Sequence, residues 1–511
     1  MKILVGLSWP YANGRLHIGH VASSLPADAI ARFHRNMGND VSFVSGSDCY
    51  GTPILVRAMK EGISPTELAN KYHELHKADF DSFGFTFDNY NKTLSDRHQS
   101  FVRDFHTQMY KSKLIYQETA PQLYCGKCER FLPDRYVEGI CPFCKKEAKG
   151  DSCDGCGKML EPEDLVNPKC ILCTNTPTPK EQTQLYIKMS ALQQQIQKFF
   201  DERKESWATN AQGLTGRYLN EGLRDRAITR SINWGVPVPL EGWDDRRIYI
   251  WAENVLGYLS ASEDKFIKRG QQDVIHYYVH GKDNIPFHSI ILPSLILAHG
   301  GEYHLPDIIV ASEHVTIGGN KLSKSKGIGI NAHVLYENCD VDMIRYFFLR
   351  TVNDKRDSNF TAEEFVNIIN GELVNNWGNL VNRTLSFIQN KFGGRIPNEK
   401  LDESVSQEIQ TCKNTVHELM MTGKTATALK TAMDLVNFGN KYFAEKKPWV
   451  NDDKQCISDV IHIIRATTEM LEPFIPFGCA KVKEWLKGDT LPQIEVLYQR
   501  LNINEVKQWL T

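Results

Sequence analysis

Two histidines, His17 and His20, enclose Ile18-Gly19 just after the first apolar run of the chain, Ile3-Leu4-Val5-Gly6-Leu7. That places them on the turn from a first strand into a first helix, where backbone amides and the helix dipole can hold phosphate. Gly19 would let a nucleotide come close, and the imidazoles could donate to oxygens that gain charge as phosphorus is attacked. Far downstream stands Lys321-Leu322-Ser323-Lys324-Ser325-Lys326-Gly327, preceded by Gly318-Gly319-Asn320. An isolated lysine run is ordinarily a solvated basic loop. The flanking glycines predict one able to close over a triphosphate and stabilise departing pyrophosphate. A third constellation is four CxxC pairs, Cys125/Cys128, Cys141/Cys144, Cys153/Cys156 and Cys170/Cys173. Two intervening residues let both sulfurs face one tetrahedral metal, and two such pairs complete a structural zinc site. Spacing leaves sequential, interleaved and nested pairings open. With thiolate in all four positions the metal would be structural, and no thioredoxin-like context supports a redox reading.

These groups need elements to position them. The opening run reads as a buried strand, Val21 to Met37 as a helix stopped by Gly38, and Val41 to Val44 as a second strand ending near Gly46. Strand, helix, strand implies a parallel sheet. Further strands are expected at Arg247 to Ala252, Val274 to Val279 and Asp307 to Val310, so the cysteine-bearing region splits the sheet. Beyond residue 355 the pattern turns helical. Thr361 and Glu364 form a capping box, and Phe365, Ile368, Ile369, Leu373, Leu380, Phe387 and Ile388 repeat at helical spacing. Arg217, Arg224, Arg226 and Arg230 read either as an RNA-contacting stretch or as a solvated helix face.

The chain has 511 residues, 41% of them hydrophobic, enough for about three domains at roughly 150 residues each. Its 60 basic and 62 acidic residues exclude a surface that binds nucleic acid everywhere, while leaving room for a local basic groove. Pro10, Asn13, Gly14 and Arg15 cut short any signal-like N-terminus, and Ile290 to Ala298 is too short to span a bilayer. Clustered cysteines without a signal favour metal in a reducing cytosol over disulfides, with Cys49, Cys339, Cys412, Cys456 and Cys479 as packing residues. Gly423-Lys424-Thr425 mimics the end of a P-loop, but Glu418 stands where glycine is needed and the segment reads as mid-helix. His73-Glu74-Leu75-His76 has the wrong spacing for a metalloprotease helix.

The histidine turn and the lysine run, in this order, resemble the HIGH and KMSKS motifs of class I aminoacyl-tRNA synthetases, the second as KLSKS. Ser8-Trp9-Pro10-Tyr11-Ala12-Asn13-Gly14, Gly46 to Pro53, Trp251 to Tyr258 and His280 to Ser289 are similar to segments of methionyl-tRNA synthetases. The resemblance covers nearly the whole chain. It implies an α/β fold, a doubly wound, Rossmann-like parallel sheet split by a zinc-binding insertion and followed by a C-terminal α-helical bundle. The expected boundaries are 1–115 and 230–330 for the two halves of the catalytic domain, 116–229 for the insertion, 331–355 for a linker and stem-contact region, and 356–511 for an anticodon-binding bundle.

The resemblance also implies roles. His17, His20, Lys321 and Lys324 would be catalytic, and Gly19, Gly281, Asp283, Asn284 and Lys324 would meet ATP carried with Mg2+. Tyr11, Trp251, Tyr258 and His288 would surround the methionine side chain, with Trp9 beside them and Asp48 on the ammonium group; an unbranched thioether gains from aromatic contact. Trp9 stands where many relatives have a smaller aliphatic residue, and Glu253-Asn254 replaces their commoner Asp-Ala. Relatives with a single zinc keep the inner cysteine pairs, which implies nesting, with Cys141, Cys144, Cys153 and Cys156 on one ion and the outer four on another. Asn379 and Arg383, four apart on one helix, and Trp449 beside Lys446-Lys447 would read the CAU anticodon of tRNA(Met) by edge contacts and stacking. The expected protein is a cytoplasmic monomer that joins L-methionine to tRNA(Met) with ATP and does not enter membranes. The alternatives are a paralogue for another amino acid, a non-catalytic tRNA-binding regulator, and a small-molecule nucleotidyltransferase.

Overall fold

Ile3, Leu4, Val5 and Leu7 are all fully buried, so the first strand is covered on both faces, as its unbroken apolar run requires. In the computed structural model, which describes residues 1–150, 153, 155–321 and 329–509, this strand, β1 (Lys2–Leu7), lies at the centre of a five-stranded sheet. The other strands are β2 (Asp40–Ser47), β3 (Asn89–Lys92), β4 (Val274–Gly281) and β5 (Ile308–Ser312), in the order β5-β4-β1-β2-β3. β1 runs parallel to β4 and β2, and β2 parallel to β3. Chain order therefore jumps at the β1–β4 pair, the kind of switch point at whose carboxyl edge open α/β sheets bind ligands. The helix that follows β1, α1, spans Ile18–Asn36.

The chain divides into two units. One is Met1–Arg15, Asp40–Ala78 and Phe87–Ala311; the other is Leu16–Asn39, Asp79–Thr86 and Ser312–Thr511. In the first unit the region between β3 and β4 begins with helix α2 (Asp96–Met109) and continues into a long antiparallel pair, Ile115–Cys125 with Thr178–Ile187. A smaller sheet of Val137–Ile140, Glu147–Lys149 and Val166–Cys170 stands within it.

One expectation and one of two alternatives fail here. The strand read at Arg247 to Ala252 is paired only at Arg247–Ile248; the chain then turns helical as α3 (Ile250–Glu253) and, after a short turn, α4 (Gly257–Ala261). A short, largely apolar run with buried aromatics does not distinguish a core strand from a core helix by periodicity. The arginines from 217 to 230 do not share a helix face either. Arg217 lies on helix Thr209–Glu221, whereas Arg230 is buried on a short strand, 3.1 Å from Asp134 and with its guanidinium 3.8 Å from the Tyr249 ring centroid.

In the second unit α1 packs against α5 (Val341–Thr351) through a buried ion pair. Arg345 Nη2 lies 2.7 Å from Asp28 Oδ2, and the same guanidinium donates to the carbonyls of Phe83, Pro473 and Phe474. Burial pushes the Asp28 carboxyl up, but Arg345 and Arg32 outweigh it and hold it below its usual range. Thr361 caps the helix Ala362–Ile368 by accepting from Glu364 N at 3.1 Å, and a π-helical stretch, Ile369–Gly378, leads into α6 (Asn379–Lys391). The helices α7 (Glu403–Met421), α8 (Thr425–Lys446) and α9 (Lys454–Leu471) complete the bundle around Leu380, Leu429, Val436 and Ile464, all fully buried. Gly423 is not mid-helix as read from the sequence: at φ 69° it makes the turn between α7 and α8, a left-handed conformation that glycine adopts without a Cβ clash. Among the described residues no helix is long and apolar enough to cross a membrane.

Candidate active site

At the carboxyl edge of the sheet the backbones of Pro10 to Ala12 and Asp48 zip together. Asp48 N donates to Pro10 O at 2.9 Å, and Ala12 N to Asp48 O at 2.8 Å. This brings Tyr11, beyond β1, level with Asp48, beyond β2. Trp251 on α3 meets Tyr11 edge-on at 6.3 Å and stacks on Phe287, with centroids 3.6 Å apart. Tyr258 on α4 and His288, on the π-helical turn Phe287–Ile291, are joined through Tyr258 Oη and His288 Nε2 at 2.7 Å. His288 Nδ1 faces the Asn284 carbonyl at 2.8 Å, and a carbonyl can only accept. Nδ1 therefore carries the proton, Nε2 accepts, and the Tyr258 hydroxyl donates. Burial drives His288 down to about 4, so the ring stays neutral, and it stacks on His280 at 4.3 Å.

The residues expected to hold the amino acid are thus assembled within one unit, and all but Tyr11 are at least nine-tenths buried. Trp9 fills a slot whose walls are backbone. A Cβ at Gly46 would come within 2.6 Å of its ring, and one at Gly257 within 2.8 Å. Asp48 is 1% exposed, and its Oδ1 accepts from Tyr50 N at 3.2 Å. Burial, and then the carboxyl of Glu253, push Asp48 well up; Arg135 pulls weakly the other way. An ammonium group placed against Asp48 would restore its charge. Gly281 ends β4, and Asp283 and Asn284 follow on a single 3-10 turn, with Asp283 exposed. A Cβ at Gly281 would meet nothing within 4 Å, which leaves its backbone open to a ligand.

In the second unit His17 caps α1. Its Nδ1 accepts from Gly19 N, and His20 Nδ1 accepts from His17 N, both at 3.1 Å, with the rings 3.8 Å apart. With both Nδ1 atoms accepting, the protons sit on Nε2, and each ring presents a donor. The chain just past the lysine run lies alongside. Ile18 N donates to Ile330 O and Ala332 N to Leu16 O, so Asn331 bridges to His17. Lys321 closes the short strand Asn320–Lys321; the side chain of Lys321, and Lys324 as a whole, lie outside the described residues.

The eight paired cysteines form two groups, Cys125, Cys128, Cys170 and Cys173, and Cys141, Cys144, Cys153 and Cys156, with all sulfurs of a group within 4.8 Å of one another. This is the nested arrangement. The sulfur separations of 3.4 and 3.9 Å fit a tetrahedral ion with bonds of about 2.3 Å. All eight are unbridged, so each group could hold a metal ion. Of the single cysteines, Cys49, Cys412, Cys456 and Cys479 are buried and Cys339 is half-buried.

In the bundle the Arg383 guanidinium lies 4.0 Å from the centroid of Phe443 and donates to Asn440 at 2.9 Å. Trp449 packs on the same Phe443 at 5.9 Å while staying 49% exposed, and Asn379 is exposed one turn before Arg383. Sequence reasoning missed Phe443 as the platform beneath both residues, and Phe287 beneath Trp251; neither carries a signal apart from being an aromatic at a buried position.

A split parallel sheet with a histidine-capped first helix, a cysteine-rich insertion and a helical bundle defines a class of enzyme. The chain belongs to the class I tRNA synthetases (M), matching that family over residues 3–385. Within it the similarity is to methionine-specific members. Methionine--tRNA ligase 1 of Alkaliphilus oremlandii is 40% identical over 528 residues, spanning 98% of each chain. The methionine--tRNA ligase of Bacillus mycoides is 41% identical over 534 residues, 99% of this chain and 98% of that one. Mycobacterium tuberculosis methionyl-tRNA synthetase, solved in complex with methionyl-adenylate, shares the fold at a TM-score of 0.81 and 22% identity, covering 98% of this chain and 100% of that one.

Proposed function

We propose that this protein activates methionine with ATP and transfers it to the 3′ end of tRNA(Met). The observation that carries the reading is the buried cluster of Asp48, Trp251, Tyr258 and His288 with Tyr11 beside it, joined through the Tyr11–Asp48, Tyr11–Trp251 and Tyr258–His288 contacts, in a chain similar over its whole length to methionine--tRNA ligases. Asp48 meets the ammonium group, while Trp9, Tyr11, Trp251, Tyr258 and His288 enclose the thioether. Because the Tyr258 proton is committed to His288, the pocket favours an apolar side chain over one needing a donor.

ATP arrives with Mg2+, which neutralises phosphate charge. Gly19, Gly281, Asp283 and Asn284 hold the nucleotide as the methionine carboxylate attacks the α-phosphorus and pyrophosphate leaves. The Nε2–H groups of His17 and His20 donate to the phosphate oxygens as they gain charge, and Lys321 and Lys324 hold the departing pyrophosphate. The terminal ribose hydroxyl of tRNA then attacks the adenylate's carbonyl carbon, releasing AMP. Asn379, Arg383 and Trp449 contact the anticodon. The two cysteine groups hold structural Zn2+. The boundaries at 115, 229, 330 and 355 separate these tasks along a cytoplasmic, monomeric chain.

Amino-acid-dependent pyrophosphate exchange tests the reading. Exchange driven by methionine above the other nineteen amino acids is expected. Preference for another would make the protein a paralogue, and tRNA binding without any exchange would make it a regulator.

A further inference from the structure

Behind the amino-acid pocket three polar side chains from separate segments join in one buried line. His98, on α2, is fully buried; its Nε2 meets Oε1 of Glu253 on α3, and its Nδ1 lies 2.8 Å from Ser260 Oγ on α4. Ser260 Oγ lies 3.1 Å from the Gly257 carbonyl, which can only accept. The hydroxyl proton therefore goes to Gly257, Ser260 accepts from His98 Nδ1–H, and one further proton lies between His98 Nε2 and Glu253. Whichever of those two atoms holds it, the pair carries no net charge. Glu253 is 1% exposed and Ser260 fully buried, so solvent cannot exchange freely for any member of the line.

The arrangement touches the pocket on two sides. Glu253 is two residues from Trp251, and Ser260 two from Tyr258. The Ser260–Gly257 bond anchors the turn against which Trp9 packs, and Trp9 lies 5.9 Å from the His98 ring. The ionisable groups that sense the Glu253 carboxyl are Asp48, Cys49 and Tyr50, all on the segment after β2, while Arg135 and Tyr258 sense Asp48. Had both Asp48 and Glu253 been charged, the pocket would hold two buried anions side by side. Resting on the methionine-activation reading, we propose that His98, Glu253 and Ser260 are positioning residues that tie α3 and α4 to α2 through one shared proton, leaving Asp48 as the single charge offered to the substrate's ammonium group. Burial favours the same state, holding the Glu253 carboxyl up and the His98 imidazole down at about 3.

Pyrophosphate exchange with Glu253→Gln and Glu253→Ala tests this in the full-length enzyme. The glutamine amide can donate to His98 Nε2 as the shared proton does. The Gln variant is expected to keep its methionine KM within about threefold of the parent, with the same pH profile, whereas the Ala variant, leaving His98 Nε2 unsatisfied, raises it about tenfold or more. The ATP KM stays unmoved in both. A Gln variant as impaired as Asp48→Asn would mean that Glu253 itself carries charge to the ammonium group, and an unaffected Ala variant would mean that the line positions nothing; either overturns the proposal. Should the Ala variant not fold, 15N-histidine spectra of the parent decide. His98 is expected not to titrate between about pH 5.5 and 9, and titration near its ordinary value of about 6.5 would overturn the neutral pair. Failure of the methionine reading is seen separately, as a parent enzyme whose exchange is driven by another amino acid. The same variants then test the line with that amino acid.

Discussion

A histidine's role follows from what its two nitrogens face. His17 and His20 spend Nδ1 on backbone amides, which puts the proton of each neutral ring on Nε2, the atom that the proposed mechanism turns toward phosphate. If the proposed mechanism holds, replacing either by alanine removes one donor from the transition state, and adenylate formation measured by single-turnover kinetics is expected to fall about 10²–10³-fold with little change in methionine affinity. His288 is held the other way round, as an acceptor at Nε2. Tyr258→Phe leaves that buried acceptor without a donor, and the methionine KM in the exchange assay is expected to rise about tenfold while the ATP KM holds. Residue types and local spacing were legible in the chain: His17 and His20 stand three apart, and Trp251 and Tyr258 seven. Tautomers were not, because each depends on a carbonyl or amide supplied by the surrounding fold.

The elements show the same division. Cys-x-x-Cys marks a half-site because two residues span one turn around an ion, yet which half-sites meet is decided by the small sheet of Val137–Ile140, Glu147–Lys149 and Val166–Cys170, which brings Cys170 back beside Cys128. Cys141→Ser is expected to lower bound zinc, measured by atomic emission, from two ions to one per chain, with the outer group still loaded. The run from Arg247 to Ala252 shows where reading fails, since a short apolar run of this length carries no periodicity that separates strand from helix. In the second unit Arg345 satisfies Asp28 and three carbonyls at once. Arg345→Ala strands a buried carboxylate, and urea denaturation is expected to register a loss of about 3–5 kcal/mol.

Across the whole molecule, buried neutral histidines contribute to the loss of stability in acid, alongside carboxylates such as Asp28 that are held low. Burial holds His106 down to about 4, so the unfolded chain, whose histidines titrate near 6.5, takes up the proton first. The stability this gives is complete above about pH 6.5 and is lost as pH falls toward 4, amounting to about 2 kcal/mol by pH 5. His276, at about 3, and His288, at about 4, act in the same sense. Asp342, pushed up to about 6 by burial, acts in the opposite one. His106→Gln is expected to flatten the difference between urea midpoints at about pH 7 and pH 5 by that amount.

From its residues alone this protein declares a strand-to-helix turn fit for phosphate, four metal half-sites and a helical C-terminal region, because each depends on neighbours within a few positions. Tertiary structure alone decides that Ile330 runs beside Ile18, that Phe443 supports both Arg383 and Trp449, and that His98 lies between Glu253 and Ser260. Those partners are far apart in the chain, and only the packing of elements within each unit sets their distance.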